Sequence, residues 1–169
     1  MEERQVIRSY KFGVEKHITE FKKFMAFLGE TIDLSGWRGY RAGLDVSGAN
    51  NTGIQSVYTK WQGYEIMYHD GKDTFDLCSI ASHQNHVVAL VTPEGEGYRI
   101  QISAKNGVPA FTPDIPDPPL LLTDAVSRDF FLHKLVNAER ASYKSPSFAP
   151  KLSRTRSVLL YDLAVKFLG

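Results

Sequence analysis

The chain has 169 residues, 43% of them hydrophobic and 23% charged, with a formal net charge of +1. That length fits one domain with one core, burying roughly 70% of its unfolded surface. The balanced charge supplies no bulk field for nucleic acid or an anionic membrane, and a lone cysteine, Cys78, excludes an internal disulfide and a multi-cysteine zinc site.

From the N-terminus, MEERQVIRSYKFGV carries acidic residues and no apolar signal core. Gln5 to Val14 reads as a strand. Ile18 to Leu28 reads as a helix: Phe21, Phe24, Phe27 and Leu28 fall at helical spacing, Lys22 and Lys23 face away, and Gly29 is a stop signal. The Gly-, Asp- and Asn-rich stretch 31–51 contains GWRGYRAGLD. Its glycines 36, 39 and 43 match neither G-x-G-x-x-G nor a P-loop, so they predict turns with positive φ and no nucleotide cradle.

Ile54 to Lys60 and Tyr64 to His69 predict a hairpin with a three-residue loop, Trp61-Gln62-Gly63. The run HVVALVT, His86 to Thr92, predicts a strand buried on both faces, followed by a turn over 93–97. In YRIQISA, Tyr98, Ile100, Ile102 and Ala104 alternate with polar residues, the pattern of a half-buried strand. Five prolines between 106 and 122 predict an extended strap, because proline can neither donate to a ladder nor sit inside a helix. Asp124 then caps a helix to about Tyr143 that buries Phe131, Leu135 and Ala138. A last helix spans about Pro150 to Leu168, with Leu152, Leu159, Leu160 and Leu163 expected inward and Arg154 and Arg156 projecting near its start. Together these predict an α/β fold class, with a central, mostly antiparallel or mixed sheet flanked by helices. No apolar run approaches the roughly 20 residues of a membrane span, and a cytoplasmic protein is expected.

Chemistry is sparse. His83 and His86, with His69, could offer three zinc ligands, but a spacing of three at a loop-to-strand junction suits neither strand nor helix geometry, so no metal is expected. Neither Ser56 nor Ser103 lies in a nucleophile motif, and nothing basic surrounds Cys78 in sequence. Asp70, Asp73 and Asp76 lack the closing glutamate of a calcium loop. The basic cluster is KLSRTR, whose Lys151 and Arg154 share a helix face. It reads either as a solvated helix end or as an anchor for an acidic partner.

Several blocks together resemble the Rap/Ran-GAP domain: FMAFLGETIDLSGWRGYRAGLD, TGIQSVYTKWQGYEIMYH, VPAFTPDIPDPP, FFLHKLVNAERASYKSPSFA and SRTR. Their order is that of the family, and they cover most of the chain. The resemblance implies one α/β domain over 1–169 that activates a Rap-like small GTPase, in its GTP-bound form, in trans. It also implies no cofactor of the domain's own, since GTP and magnesium belong to the partner. In the family a helix presents an asparagine, the Asn thumb, whose carboxamide orients the attacking water in the role a glutamine plays in other GTPases. By the same resemblance Arg154 and Arg156 match the R-T-R of the family's last helix and are expected to contact the GTPase, and His69 leads into the thumb segment.

That segment is missing from the sequence. In the family the strand matching YEIMYH runs into V-S-x-x-L-P-Y, then into a basic helix like R-K-R-H-I-G-N-D, then into another strand. Here His69 is followed at once by Asp70, and a second break lies at 14/15, where the family has a longer acidic loop. Either the polypeptide carries segments that this sequence omits, or the loss is real. A real loss is expected to expose or collapse the core beside Ile66 and Tyr68. Three functions therefore stay open: a GTPase activator, a catalytically inactive GTPase-binding module, and a structural or dimerising domain.

Overall fold

The computed structural model describes residues 4–7, 18–68 and 86–168. In chain order the elements are β1 (Arg4–Ile7), α1 (Ile18–Leu28), β2 (Glu30–Asp33), β3 (Gln55–Trp61) and β4 (Tyr64–Tyr68). They are followed by β5 (Val87–Glu94), β6 (Gly97–Ala104), β7 (Leu120–Leu122), α2 (Ala125–Tyr143) and α3 (Ala149–Leu168). The predicted class holds, with one difference. The described strands form two sheets, a mixed one ordered β1-β4-β3-β2 and an antiparallel one ordered β5-β6-β7.

One core joins the two sheets. Phe24 and Leu28 of α1 and Phe131, Leu132 and Val136 of α2 pack with Ile66, Tyr68, Tyr98 and Ile100 of the strands. The aromatic stripe predicted for α1 turns inward at Phe24, whose ring meets Tyr98 and Phe131 edge-on at 4.8 and 5.7 Å. Arg128 fastens α2 to α1 by donating to the carbonyl oxygens of Phe27 (3.0 Å) and Leu28 (2.8 Å), groups that end the helix without intrahelical partners. The N-cap falls where expected: the Asp124 carboxylate accepts from the Ser127 backbone N–H at 2.7 Å.

The opposite face of the mixed sheet is covered by the glycine-rich loop. Leu34 and Leu44 pack with Tyr58 and Met67, and Trp37 and Tyr40 lie against them. Gly36 and Gly43 have positive φ as predicted, whereas Gly39 does not. A Cβ at Gly39 would meet the Trp37 ring at 2.6 Å, so its role is to let the indole lie across the backbone. Trp37 Nε1 then donates to the Tyr40 carbonyl at 3.1 Å.

Several boundaries move. The β3–β4 hairpin closes with two residues, Gln62 and Gly63, at φ 45° and 81°, because positive φ at both central positions matches the twist of the flanking strands. β2 occupies residues expected to be helix stop and loop. β5 is not buried on both faces: Val91 is its buried position, and Leu90 is 54% exposed. β5 also runs through Pro93 to Glu94, which shortens the predicted turn to Gly95-Glu96. The proline strap ends in β7, a short edge strand paired with β6. The first strand is described only as Arg4–Ile7, and the rest of its expected span lies outside the described residues, as does His69.

Two corrections bear on function. Leu159, Leu160 and Leu163, expected inward, are 56%, 66% and 52% exposed, and Leu152 is half-buried. Among the described residues nothing packs along α3 beyond its first turn, since every described side chain from 153 to 167 is exposed. Secondly, Ile66 and Tyr68 are buried in this chain as it stands, at 0% and 2% exposure. β1 lies parallel to β4 on one edge and β3 antiparallel on the other, so no edge of β4 is left bare.

Candidate functional site

α3 is the basic element of the fold, carrying Lys151, Arg154, Arg156 and Lys166 against one acid, Asp162. Its N-terminal end is held rigidly. Ser145, in the α2–α3 connection, is buried at 1% exposure, and the Phe148 and Ala149 N–H groups donate to its carbonyl. Buried His86, at the head of β5, places its ring 4.5 Å from Phe148 and bonds the Ser147 hydroxyl through Nε2 at 2.5 Å. Tyr143 meets Phe148 edge-on from α2 at 6.0 Å. The end of α2 and the head of β5 thus hold the start of α3.

Lys151, Arg154 and Arg156 are all exposed. Lys151 and Arg154, three apart, share a face, with Val158, Tyr161 and Val165 continuing it. Arg156 does not join them. At about 100° per residue, positions two apart sit about 200° around the axis, on opposite sides of a cylinder about 10–12 Å across. The family resemblance expects both arginines to contact the partner, and the helix sets them on opposite sides. Arg156 falls instead among Leu152, Leu159, Leu160, Leu163 and Phe167. The signal for this was present in the letters, because α3 has apolar residues at helical spacing on two sides rather than one.

The end of β4 offers less. His69 lies outside the described residues. Its neighbour Tyr68 is locked by the sheet: Ser56 Oγ donates to the Tyr68 carbonyl, and burial pushes the Tyr68 hydroxyl pKa well above its ordinary range. Ser56 is thereby committed to structure.

The rest of the polar chemistry is architectural. His86 of the H-x-x-H pair is spent on Ser147, and His83, Cys78, Asp70, Asp73 and Asp76 lie outside the described residues. Among the described residues no group of three His, Cys, Asp or Glu side chains could hold a metal ion. Asp45 organises its loop by accepting from the Ser47 hydroxyl (2.6 Å) and N–H (2.9 Å) and from the Asn51 N–H (3.1 Å) and Nδ2 (2.8 Å). The hydrogen bonds from Ser47 lead in lowering its pKa to about 2. Lys134 donates to the Phe111 carbonyl at 2.7 Å and sits 4.2 Å from the Phe111 ring centre, tying the proline strap to α2, and its burial lowers the pKa of the amine. Among the described residues no helix is long and apolar enough to cross a membrane.

The family model described as Rap/ran-GAP matches residues 12–72 and 69–157, in two pieces that meet at the end of β4. GTPase-activating Rap/Ran-GAP domain-like protein 3 of Mus musculus is 34% identical over 215 residues, covering 96% of this chain and 21% of that protein. Signal-induced proliferation-associated 1-like protein 1 of Mus musculus is 32% identical over 183 residues, covering 86% of this chain and 10% of that protein. The chain therefore spans about a fifth or less of these relatives. The first alignment is longer than the 169 residues available here, so that relative carries segments this chain lacks. Among solved structures, the TSC2 GAP domain superposes with a TM-score of 0.55 at 19% identity, covering 82% of this chain and 95% of that one, a likeness of fold.

Proposed function

Because the chain belongs to the Rap/Ran-GAP family, we propose that it is a GTPase-activating domain that engages a Rap-like small GTPase in its GTP-bound form. The observation that carries this reading is the family match, which runs from α1 through β2–β7 and α2 and reaches into α3. The reading is cytoplasmic, with GTP and magnesium supplied by the partner. Arg154, with Lys151 beside it, is the contact we assign first, because this exposed basic face stands clear of the core on a rigidly anchored helix. Arg156 touches the same partner only if the partner wraps around the helix. His69 falls where the chain leaves β4, the position from which the family's thumb segment departs.

Stimulation in this scheme needs a neutral amide held at hydrogen-bonding distance from the attacking water, since a carboxamide both accepts and donates. No Asn of this chain lies in a matching motif, so a second reading is a module that binds the GTPase without accelerating it. Two observations favour that reading: the family match divides at the end of β4, and the described strands of the mixed sheet already bury Ile66 and Tyr68.

Single-turnover GTP hydrolysis by Rap, with and without the domain, separates the two. The activator reading expects acceleration. The binding reading expects capture of GTP-loaded Rap with an unchanged rate. An intact mass of 19.0 kDa for the same sample assigns the result to this sequence. Absence of both complex and acceleration would remove both readings.

A further inference from the structure

The R-T-R-S run of α3 holds a feature that contact with a GTPase does not absorb. Ser157 is the one serine or threonine of the chain with an arginine, Arg154, three residues before it, and an apolar residue, Val158, follows it. A protein kinase with an acidic pocket reads that spacing, because a substrate laid out in extended form sets its arginine in the pocket while the hydroxyl reaches the phosphate. The side chains of Ser157, Arg154 and Val158 are all exposed.

An extended substrate must first leave the helix, and α3 opens with little resistance. Every described side chain from 153 to 167 is exposed, so opening this part of the helix gives up no core packing among the described residues. A helix of this length without tertiary packing is marginal in water. Thr155 and Ser157 loosen it further: their hydroxyls donate back to the carbonyls of Lys151 and Ser153, both at 3.0 Å, a bond that slightly weakens a helix. Ser147, with Lys144 three before it, is held by contrast. Its hydroxyl bonds buried His86, and the Phe148 and Ala149 N–H groups tie the segment to the Ser145 carbonyl.

We propose that Ser157 is a phosphorylation site for a basophilic serine/threonine kinase, and that its phosphate then occupies Arg154. In the transfer Ser157 Oγ attacks the γ-phosphorus of ATP. The new O–P bond forms as the bond to the β–γ bridging oxygen breaks, ADP leaves, and the hydroxyl proton passes to the catalytic aspartate of the kinase. In the re-formed helix the phosphate stands one turn beyond Arg154 and about 60° around the axis, the spacing of neighbours on a helix surface. A charge of about −1.5 to −2 there pairs with the guanidinium and offsets the basic face of Lys151 and Arg154. The effect on a partner rests on the GTPase reading: the phosphate withdraws the arginine assigned to the GTPase and weakens the complex about tenfold.

The full chain, incubated with ATP and the catalytic domain of calmodulin-dependent kinase II as the basophilic enzyme, tests the site. One phosphate per chain is expected, mapped to Ser157 by fragmentation mass spectrometry and absent from Ser157→Ala. Arg154→Ala should lower kcat/KM for the transfer about tenfold, and Arg156→Ala less than about threefold. Circular dichroism reports that each variant keeps its helices. A chain that takes no phosphate at Ser157 overturns the site, and equal rates for the wild-type and Arg154→Ala chains overturn its recognition through arginine. The chain before and after phosphorylation is then titrated against Rap loaded with a labelled GTP analogue. Binding about tenfold weaker after phosphorylation, with no change in Ser157→Ala treated alike, supports the switch. Unchanged binding overturns the switch alone. No binding by the unmodified chain removes the GTPase reading and the switch with it, while the mapped phosphate still supports the site.

Discussion

Replacing Arg154 and Arg156 by alanine, singly and together, probes how α3 meets a GTPase. An arginine anchor that becomes desolvated at an interface contributes about 1–2 kcal/mol to binding on truncation. At 1.4 kcal/mol per factor of ten, Arg154→Ala should weaken the complex roughly tenfold. The two guanidinium groups start on opposite sides of a rod about 10–12 Å across. A partner docked on the Lys151 and Arg154 face leaves Arg156 in solvent or in the leucine stripe. Arg156→Ala should therefore change affinity less than twofold, and the double variant should match Arg154→Ala. Both residues are exposed, so neither change should disturb the fold. Fluorescence polarisation of Rap loaded with a labelled, non-hydrolysable GTP analogue, titrated with each variant, reads the affinities directly. Equal tenfold losses from both single changes, adding in the double variant, would mean that the partner wraps around α3, and the one-face argument would fail.

Other consequences concern the scaffold. Trp61→Phe removes the 2.6 Å hydrogen bond from the indole Nε1 to Asp129 while keeping an aromatic ring, and should cost about 1–2 kcal/mol in urea denaturation; no change would show that the β3–α2 link is incidental. Leu132→Ala opens a cavity at a site with no exposure and should cost about 2–5 kcal/mol, lowering the urea midpoint at constant slope. Gly29→Ala drives a Cβ into the Tyr58 carbonyl and the Thr59 hydroxyl, so α1 must shift from β3, a strain of about 1–3 kcal/mol visible as a lower melting temperature. For Asp45 the folded pKa lies below its ordinary 3.8, so its loop bonds add stability that is complete above about pH 4 and is lost as pH falls through about 2. Carboxyl carbon shifts in an NMR titration check this, and a midpoint near 4 would refute it.

The helices and hairpins were legible because their information is local. The spacing of Phe24 and Leu28, the stop at Gly29, the cap at Asp124 and the alternation in Tyr98, Ile100 and Ile102 depend on neighbours a few residues away, and the structure places each as read. The family was legible for a similar reason, since ordered blocks such as YRAGLD and SRTR survive in the letters.

Burial was not legible, because it depends on what lies across a face. The apolar run of β5 promised a strand covered on both sides, yet Val91 is its buried position and Leu90 reaches solvent. Leucines at helical spacing in α3 promised a core face, yet the helix runs off the body after Phe148, and its stripe becomes a surface. The arginines of SRTR lie two apart along the chain and stand on opposite sides of the helix. Periodicity states that a face is apolar, and only the arrangement of the other elements states whether anything covers it.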